Sequence, residues 1–346
     1  MDFSNASIDK LIVHQVGNKQ KDEGVYLSHS PQSVESELEK KLLHYFLKPF
    51  QLETDLHRFT HSTSLSFNEV YTYSKNIFEY SDFAQAAERI ANHLYDASTH
   101  PKIMMGELLI VHFKDIKFDE DFRDAIGIYK VEKKDMFFKV LKTMDSLTLG
   151  TEEGINASKI EKGCFIINDE SELGYNIYNI DIHQKVTDYW VNKFLSIAPV
   201  ENDSYKTKQF MNMCKGFVDE VVTPEYDKRE QVDFENSCID FFEKRDNFSE
   251  QDFFDEIMHN DKMKDDFVNY RDKYAGESEI SFDDDFGISK DDVKKYKNSF
   301  RASITLDEKI QIKFLNNSVQ EKLDYEKGYD EETGQAYYKF YFEDEY

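Results

Sequence analysis

The chain is short of the features that most often announce a chemistry. Its three cysteines, Cys164, Cys214 and Cys238, make neither a CxxC spacing nor an even-numbered framework. That argues against a disulfide scaffold or a cysteine-based zinc site and leaves ordinary buried thiols in a reducing compartment. No apolar run approaches the ~20 residues needed to span a bilayer. The opening MDFSNASIDK lacks a basic segment followed by an apolar one, so no secretory leader is expected. Missing too are GxxxxGK[ST], GxGxxG after a strand, HExxH and GxSxG, the patterns that hold phosphates, dinucleotides, catalytic zinc or a serine nucleophile. No internal repeat or low-complexity linker breaks the chain. A soluble, cytoplasmic protein without a cofactor is the expectation.

Positive charge is the scarcest commodity. Forty-three basic residues face 69 acidic ones, a net charge of −26. Positions 1–200 hold 22 basic and 31 acidic residues and the remainder 21 and 38, so neither part is basic. Such a field repels a polyanion at long range, and direct DNA contact would need a local cationic patch. Sparse arginine also argues against reading of base edges. What the chain has in quantity is aromatic residues, 29 Phe and 21 Tyr, within a hydrophobic content of 40%. That composition is of a folded protein despite its acidity. A length of 346 residues makes two domains the natural expectation.

Taken in order, Ile8–Val16 reads as a strand with Gly24–Leu27 as its return. A helix is expected from Ser33, with Ser33 and Glu37 near a capping arrangement, as far as Pro49. Asn68–Tyr80 and Asp82–Tyr95 follow as helices, the second with Phe83, Ala86, Ala87, Ile90, Ala91 and Leu94 on one face. Gly106–Phe113, Ala125–Val131 and Met136–Thr143 read as strands, the first buried on both faces through Leu108, Leu109, Ile110 and Val111. Thr148–Asn156, with two glycines, reads as a loop. Gly163–Asn168 and Tyr175–Ile182 are the next strands. Helices are then expected at Glu230–Arg245, Ser249–His259, Asp261–Tyr274 and Ser289–Lys297. Strands are expected at Phe300–Thr305, Lys309–Leu315 and Ala336–Phe342, with a turn at Asp330–Gly334. The class is α+β: an N-terminal domain (1–198) with a mainly antiparallel sheet, then a C-terminal domain (199–346) of acidic helices ending in a small antiparallel sheet.

Residues 185–222, where short β-like runs give way to charged helices, read as two helices joined by a polar linker. Val186, Tyr189, Trp190, Phe194 and Leu195 form one apolar face; Phe210, Cys214, Phe217, Val218 and Val221 form the second. A hinge of two packed helices explains that pattern without any chemistry. The run also carries a resemblance. Asp188, Tyr189, Trp190, Phe194 and Leu195, then Asp203, Tyr205, Thr207, Phe210, Cys214, Lys215 and Phe217, resemble the central signature of the bacterial nucleoid-associated protein family typified by YejK. The likeness extends to Ile8–Val16, Gly106–Phe113, Gly154–Ile167 and the closing Asp-rich hairpin. It implies a non-enzymatic protein of the nucleoid that contacts double-stranded DNA without strong sequence preference.

Two lysine clusters could supply such contact. Lys206, Lys208 and Lys215 lie beside Tyr205 and Thr207, side chains able to reach phosphates. Lys130, Lys133 and Lys134, with Lys139 and Lys142 beyond, border adjacent strands. Solvated lysines balancing acidic neighbours explain both clusters equally well. The rival function is an acidic adaptor that docks on the basic groove of a DNA-processing protein. A third reading, a metal-dependent nuclease, rests on Glu132 and Lys134 after Asp121 and Asp124, an ExK triplet common by chance in so charged a chain. His14 reads as a sheet histidine, and His57 with His61 as an exposed i, i+4 pair if helical. Asp283, Asp284 and Asp285 before Gly287 depart from a calcium loop in the glycine's place and in lacking the terminal Glu. A homodimer through an exposed apolar helix face is compatible with all of this.

Overall fold

The computed structural model describes residues 1–51, 55–79, 82–182, 189–226, 228–258, 260–278, 285–297, 303–306, 310–313 and 325–341. They fall into two compact units, Met1–Val200 and Glu201–Tyr346, and each is described by itself.

The first unit runs β1 (Ser7–Val16), β2 (Val25–Tyr26), α1 (Ser36–Leu47), β3 (Leu56–Phe59), α2 (Glu69–Glu79), α3 (Phe83–Ala97), β4 (Gly106–Phe118), β5 (Asp121–Val131), β6 (Lys134–Lys142), β7 (Leu147–Ile155), β8 (Lys162–Ile167), β9 (Asn176–Asp181) and β10 (Ile197–Pro199). Eight of these strands make one antiparallel sheet in the order β10-β3-β9-β8-β5-β4-β1-β2, while β6 and β7 pair only with each other. Period-two alternation sends Leu108, Ile110, Ile126, Ile128 and Ile166 to the face covered by α2 and α3. Leu109, Val111, Phe113, Tyr129 and Phe165 go to the opposite face, under Tyr45, Phe46 and Leu47 of α1. The apolar run in β4 is therefore a central strand clothed on both sides, as its sequence implies.

Several local expectations are corrected. Helix α1 begins at Ser36, three residues after Ser33, and the Glu35 side chain at its N-cap makes no capping bond. His57 lies on strand β3, so it and His61 do not share a helix face; their ring nitrogens bond the Asp55 carbonyl and the Thr63 N–H. Residues 148–155 are strand β7, not loop. A Cβ on Gly154 would stand 3.0 Å from the Phe137 ring and one on Gly150 3.4 Å from Leu141, so the glycines make room for cross-strand side chains. Of the first pivot helix, Val186 and Asp188 lie outside the described residues. The rest is a π-helical segment, Tyr189–Leu195, followed by β10, which pairs with β3.

The second unit begins with α4 (Asp203–Phe217), where the Asn202 side chain accepts from the Tyr205 N–H at 2.9 Å. After a π-helical turn (Val218–Val222) come α5 (Thr223–Glu225), α6 (Lys228–Lys244), β11 (Asn247–Phe248), α7 (Glu250–Ile257), α8 (Asp261–Ser278), β12 (Phe286–Gly287) and α9 (Lys290–Tyr296). Phenylalanines fill its core. The Phe210 ring lies 4.3 Å from Phe248 and 5.0 Å from Phe253, and Phe248 stacks 4.6 Å from Phe286. Each buried ring is worth ~1.5–3 kcal/mol. Helix α8 runs through Gly276, which was expected to lie beyond its end. Hairpins β13 (Ser303–Leu306) with β14 (Ile310–Lys313) and β15 (Tyr325–Asp330) with β16 (Gln335–Phe340) complete it. The tight turn at Gly334 uses a φ of +68°, natural for glycine. Of the strands expected at Phe300–Thr305, Lys309–Leu315 and Ala336–Phe342, Tyr341 lies just past the end of β16 and the other remaining residues lie outside the described residues.

Candidate nucleic-acid and partner interface

The two lysine clusters meet different fates. On α4, Thr207 follows the spacing of Phe210, Cys214 and Phe217 and is buried with them. Its hydroxyl donates to the Asp203 carbonyl at 2.7 Å and accepts the Ser289 N–H at 3.1 Å, so it is no phosphate ligand. Lys208, with its side chain 14% exposed, lies 3.4 Å from the Asp292 carboxylate. Burial opposes ionisation of Asp292, but hydrogen bonds from Ser204 and Ser289 and the charges of Lys208 and Lys295 hold its pKa below the usual range. That lysine is spent on an internal anion. Tyr205, Lys206 and Lys215 are half-buried on the same helix.

In the sheet, Lys130 continues the alternation of Ile126 and Ile128 and is fully buried, which removes it from any DNA-facing surface. Its ammonium contacts the Met104 carbonyl (3.1 Å), the Tyr189 hydroxyl (3.2 Å) and Glu132 (3.1 Å). Tyr189 in turn donates to Glu132 at 2.9 Å. Beside it Lys162 and Asp181 pair at 2.7 Å, both buried. The Glu161 carboxylate accepts the N–H groups of Glu132 (2.8 Å) and Lys133 (3.0 Å) where β5 passes into the β6–β7 hairpin. Burial lowers the Lys130 pKa against the pull of Glu132, and burial first, then Glu132, raises that of Tyr189. Sequence reasoning did not find this network, although Lys130 in phase with two isoleucines was its visible sign.

Lys133 is exposed; Lys134 pairs with Glu107 at 2.6 Å and Lys139 with Glu152 at 2.7 Å. The two halves of the ExK triplet thus do not face one another: Glu132 serves Lys130 and Tyr189, and Lys134 serves Glu107. Among the described residues no three His, Cys, Asp or Glu side chains converge to hold a metal ion. Asp283 and Asp284 lie outside the described residues. His14 is buried in β1, as a sheet histidine, its Nδ1 accepting the Ser28 N–H at 3.1 Å. All three cysteines are free and buried.

The molecule so described is an α+β protein with a large antiparallel sheet, a phenylalanine-filled helical unit and an acidic balance of charge. The chain belongs to the family described as nucleoid-associated protein YejK, whose family model matches residues 12–336. A comparison with individual curated proteins finds no match. Membership carries an association with the nucleoid. No helix among the described residues is long and apolar enough to cross a membrane.

Proposed function

We propose that this chain is a non-enzymatic nucleoid-associated protein that reaches DNA chiefly through proteins already bound there, its acidic surface docking on the basic face of a DNA-processing partner. The observation that carries this reading is the fate of the lysines in a chain of net charge −26. Lys130 is buried, and Lys134, Lys139 and Lys208 are each held by a carboxylate of the same chain. A backbone-binding surface instead presents lysines free to displace the cations condensed on the phosphates. An acidic surface is complementary to the groove of a protein that itself holds DNA.

Direct, sequence-nonspecific contact with duplex DNA is the second reading, favoured by Lys133, just before β6, and Lys142, at its end, both exposed. One experiment separates the two. Binding of the purified chain to a random-sequence duplex is measured across a salt series, beside Lys133→Glu/Lys142→Glu. The adaptor reading expects no binding at any salt concentration. Tight binding that weakens steeply with salt, and is lost in the double variant, would overturn it in favour of direct contact.

A further inference from the structure

The β15–β16 hairpin repeats one arrangement twice. On the face that carries Glu326, Gly328 and Asp330, the ladder sets Lys339 opposite Glu326 and Gln335 opposite Asp330. A tyrosine stands two residues beyond each: Tyr341 after Lys339, Tyr337 after Gln335. Side chains two apart share a face, so each carboxylate has a tyrosine on its diagonal at the same offset. The first set holds a cation. The Lys339 ammonium lies 4.9 Å from the centre of the Tyr341 ring and 3.6 Å from Glu326, and the Tyr341 hydroxyl reaches the same carboxylate at 3.4 Å. The second set is built alike, with the neutral amide of Gln335 where the first has its ammonium. Tyr337 is 42% exposed, and its ring crosses to β15 over Gly328, where a Cβ would collide with it. The Asp330 carboxylate accepts the N–H groups of Glu332 (2.9 Å) and Thr333 (3.3 Å). A hydrogen bond from the Thr333 side chain and those two N–H groups hold its pKa below the usual range.

We propose that Tyr337 and Asp330 receive an arginine side chain from a basic protein segment, which takes the place beside them that Lys339 takes beside Tyr341 and Glu326. A guanidinium suits the pair: it lies flat on an aromatic ring and directs N–H groups at a neighbouring carboxylate at the same time. Gln335 brings no charge to the site, whereas Lys339 neutralises the first. Exposed Glu331 and Glu332 at the turn add to the field that draws a cation in. The same carboxylates repel phosphate, so the occupant is a protein cation and not the DNA backbone. That the cation comes from the basic face of a DNA-processing protein rests on the adaptor reading; the site itself rests on the repeated arrangement.

The probe is a fluorescein-labelled octa-arginine peptide, titrated with the full chain and followed by anisotropy. Tyr337→Ala should weaken binding about two- to fivefold, the size of an exposed cation–π contact, while Tyr337→Phe keeps the wild-type affinity. Asp330→Asn keeps an oxygen for the turn and loses the charge. It should weaken binding more than Glu331→Gln, which changes the net charge equally one residue away. Gln335→Lys should supply the cation from within the chain and weaken the peptide's binding, and removing Tyr337 in that background should cost nothing further. Should Tyr337→Ala disorder the hairpin, Asp330→Asn against Glu331→Gln decides, since neither removes a ring or a ladder bond. Equal losses in those two variants, or a full additional loss on removing Tyr337 from Gln335→Lys, overturn the site and leave the adaptor reading standing. No binding of the peptide to the wild-type chain overturns both.

Discussion

The Lys130 ammonium lies 3.2 Å from the Tyr189 hydroxyl and 5.4 Å from the centre of its ring. Lys162 approaches the same ring at 5.4 Å. One tyrosine, at the start of the π-helical segment, is thus held by cations from two neighbouring strands. Burial on this scale makes the group unforgiving, because removing one partner leaves its counter-charge in the interior.

Lys130→Met should therefore destabilise the first unit by ~3–5 kcal/mol through the stranded Glu132, as read by denaturant unfolding followed at Trp190. Duplex binding, if any, should not change beyond what unfolding explains. A near-neutral result would show that Glu132 is not held as described.

Asn68 is a second buried keystone. Its amide donates to the carbonyls of Thr60 (3.1 Å), Leu195 (3.0 Å) and Ser196 (3.0 Å) and its oxygen accepts the Tyr71 N–H at 2.9 Å. Asn68→Ala should cost about 2 kcal/mol or more, since the buried Leu195 carbonyl and the buried Tyr71 N–H of α2 both lose this partner. Asn68→Asp keeps the acceptor but turns a carboxylate oxygen towards those three carbonyls in a buried site, and should cost at least as much.

At Gly106 a Cβ would stand 2.1 Å from the carbonyl oxygen of Val131. The obstacle is backbone, so no rotamer relieves it. Gly106→Ala should destabilise by ~1–3 kcal/mol by prising β4 from β5, a loss measurable as a lower thermal midpoint.

His14 gives the pH dependence. Burial pulls its pKa down from 6.5 to about 4, with Glu88 opposing and His29 adding to the shift. The unfolded chain takes up the proton first, so stability present above pH 6.5 is lost as pH falls towards about 4. The loss amounts to about 3 kcal/mol. His14→Leu should flatten that window while losing about 1 kcal/mol at neutral pH, where the Ser28 N–H gives up its acceptor. Unfolding curves at a series of pH values check both.

Periodicity exposed much of the fold. The doubly buried run of β4 and the apolar stripe of α3 were legible because one spacing accounted for each. Strand β3 was not: four residues with two polar side chains, Leu56–Phe59, carry too little pattern, and their partners are remote. Strand β7 was hidden by its glycines, whose purpose shows only once Phe137 and Leu141 are seen across the ribbon. The candidate site was read from charge and polarity, which misled at Lys130 and Thr207. Both sit in phase with core residues, and that phase outweighed their polarity.

Strand β3 also sets a timetable. Its neighbours in the sheet are β9 and β10, and Val200 closes the pairing with an N–H to the Leu56 carbonyl at 2.7 Å. At a synthesis rate of ~5–20 residues per second, more than a hundred residues separate Phe59 from Asn176, about 6–25 s of translation. Through that interval the nascent chain carries a strand with no edge to join. The first unit therefore matures on the ribosome from its middle outwards, β4 with β5 early, β3 only once β9 is made, and β10 last, as the chain reaches the start of the second unit.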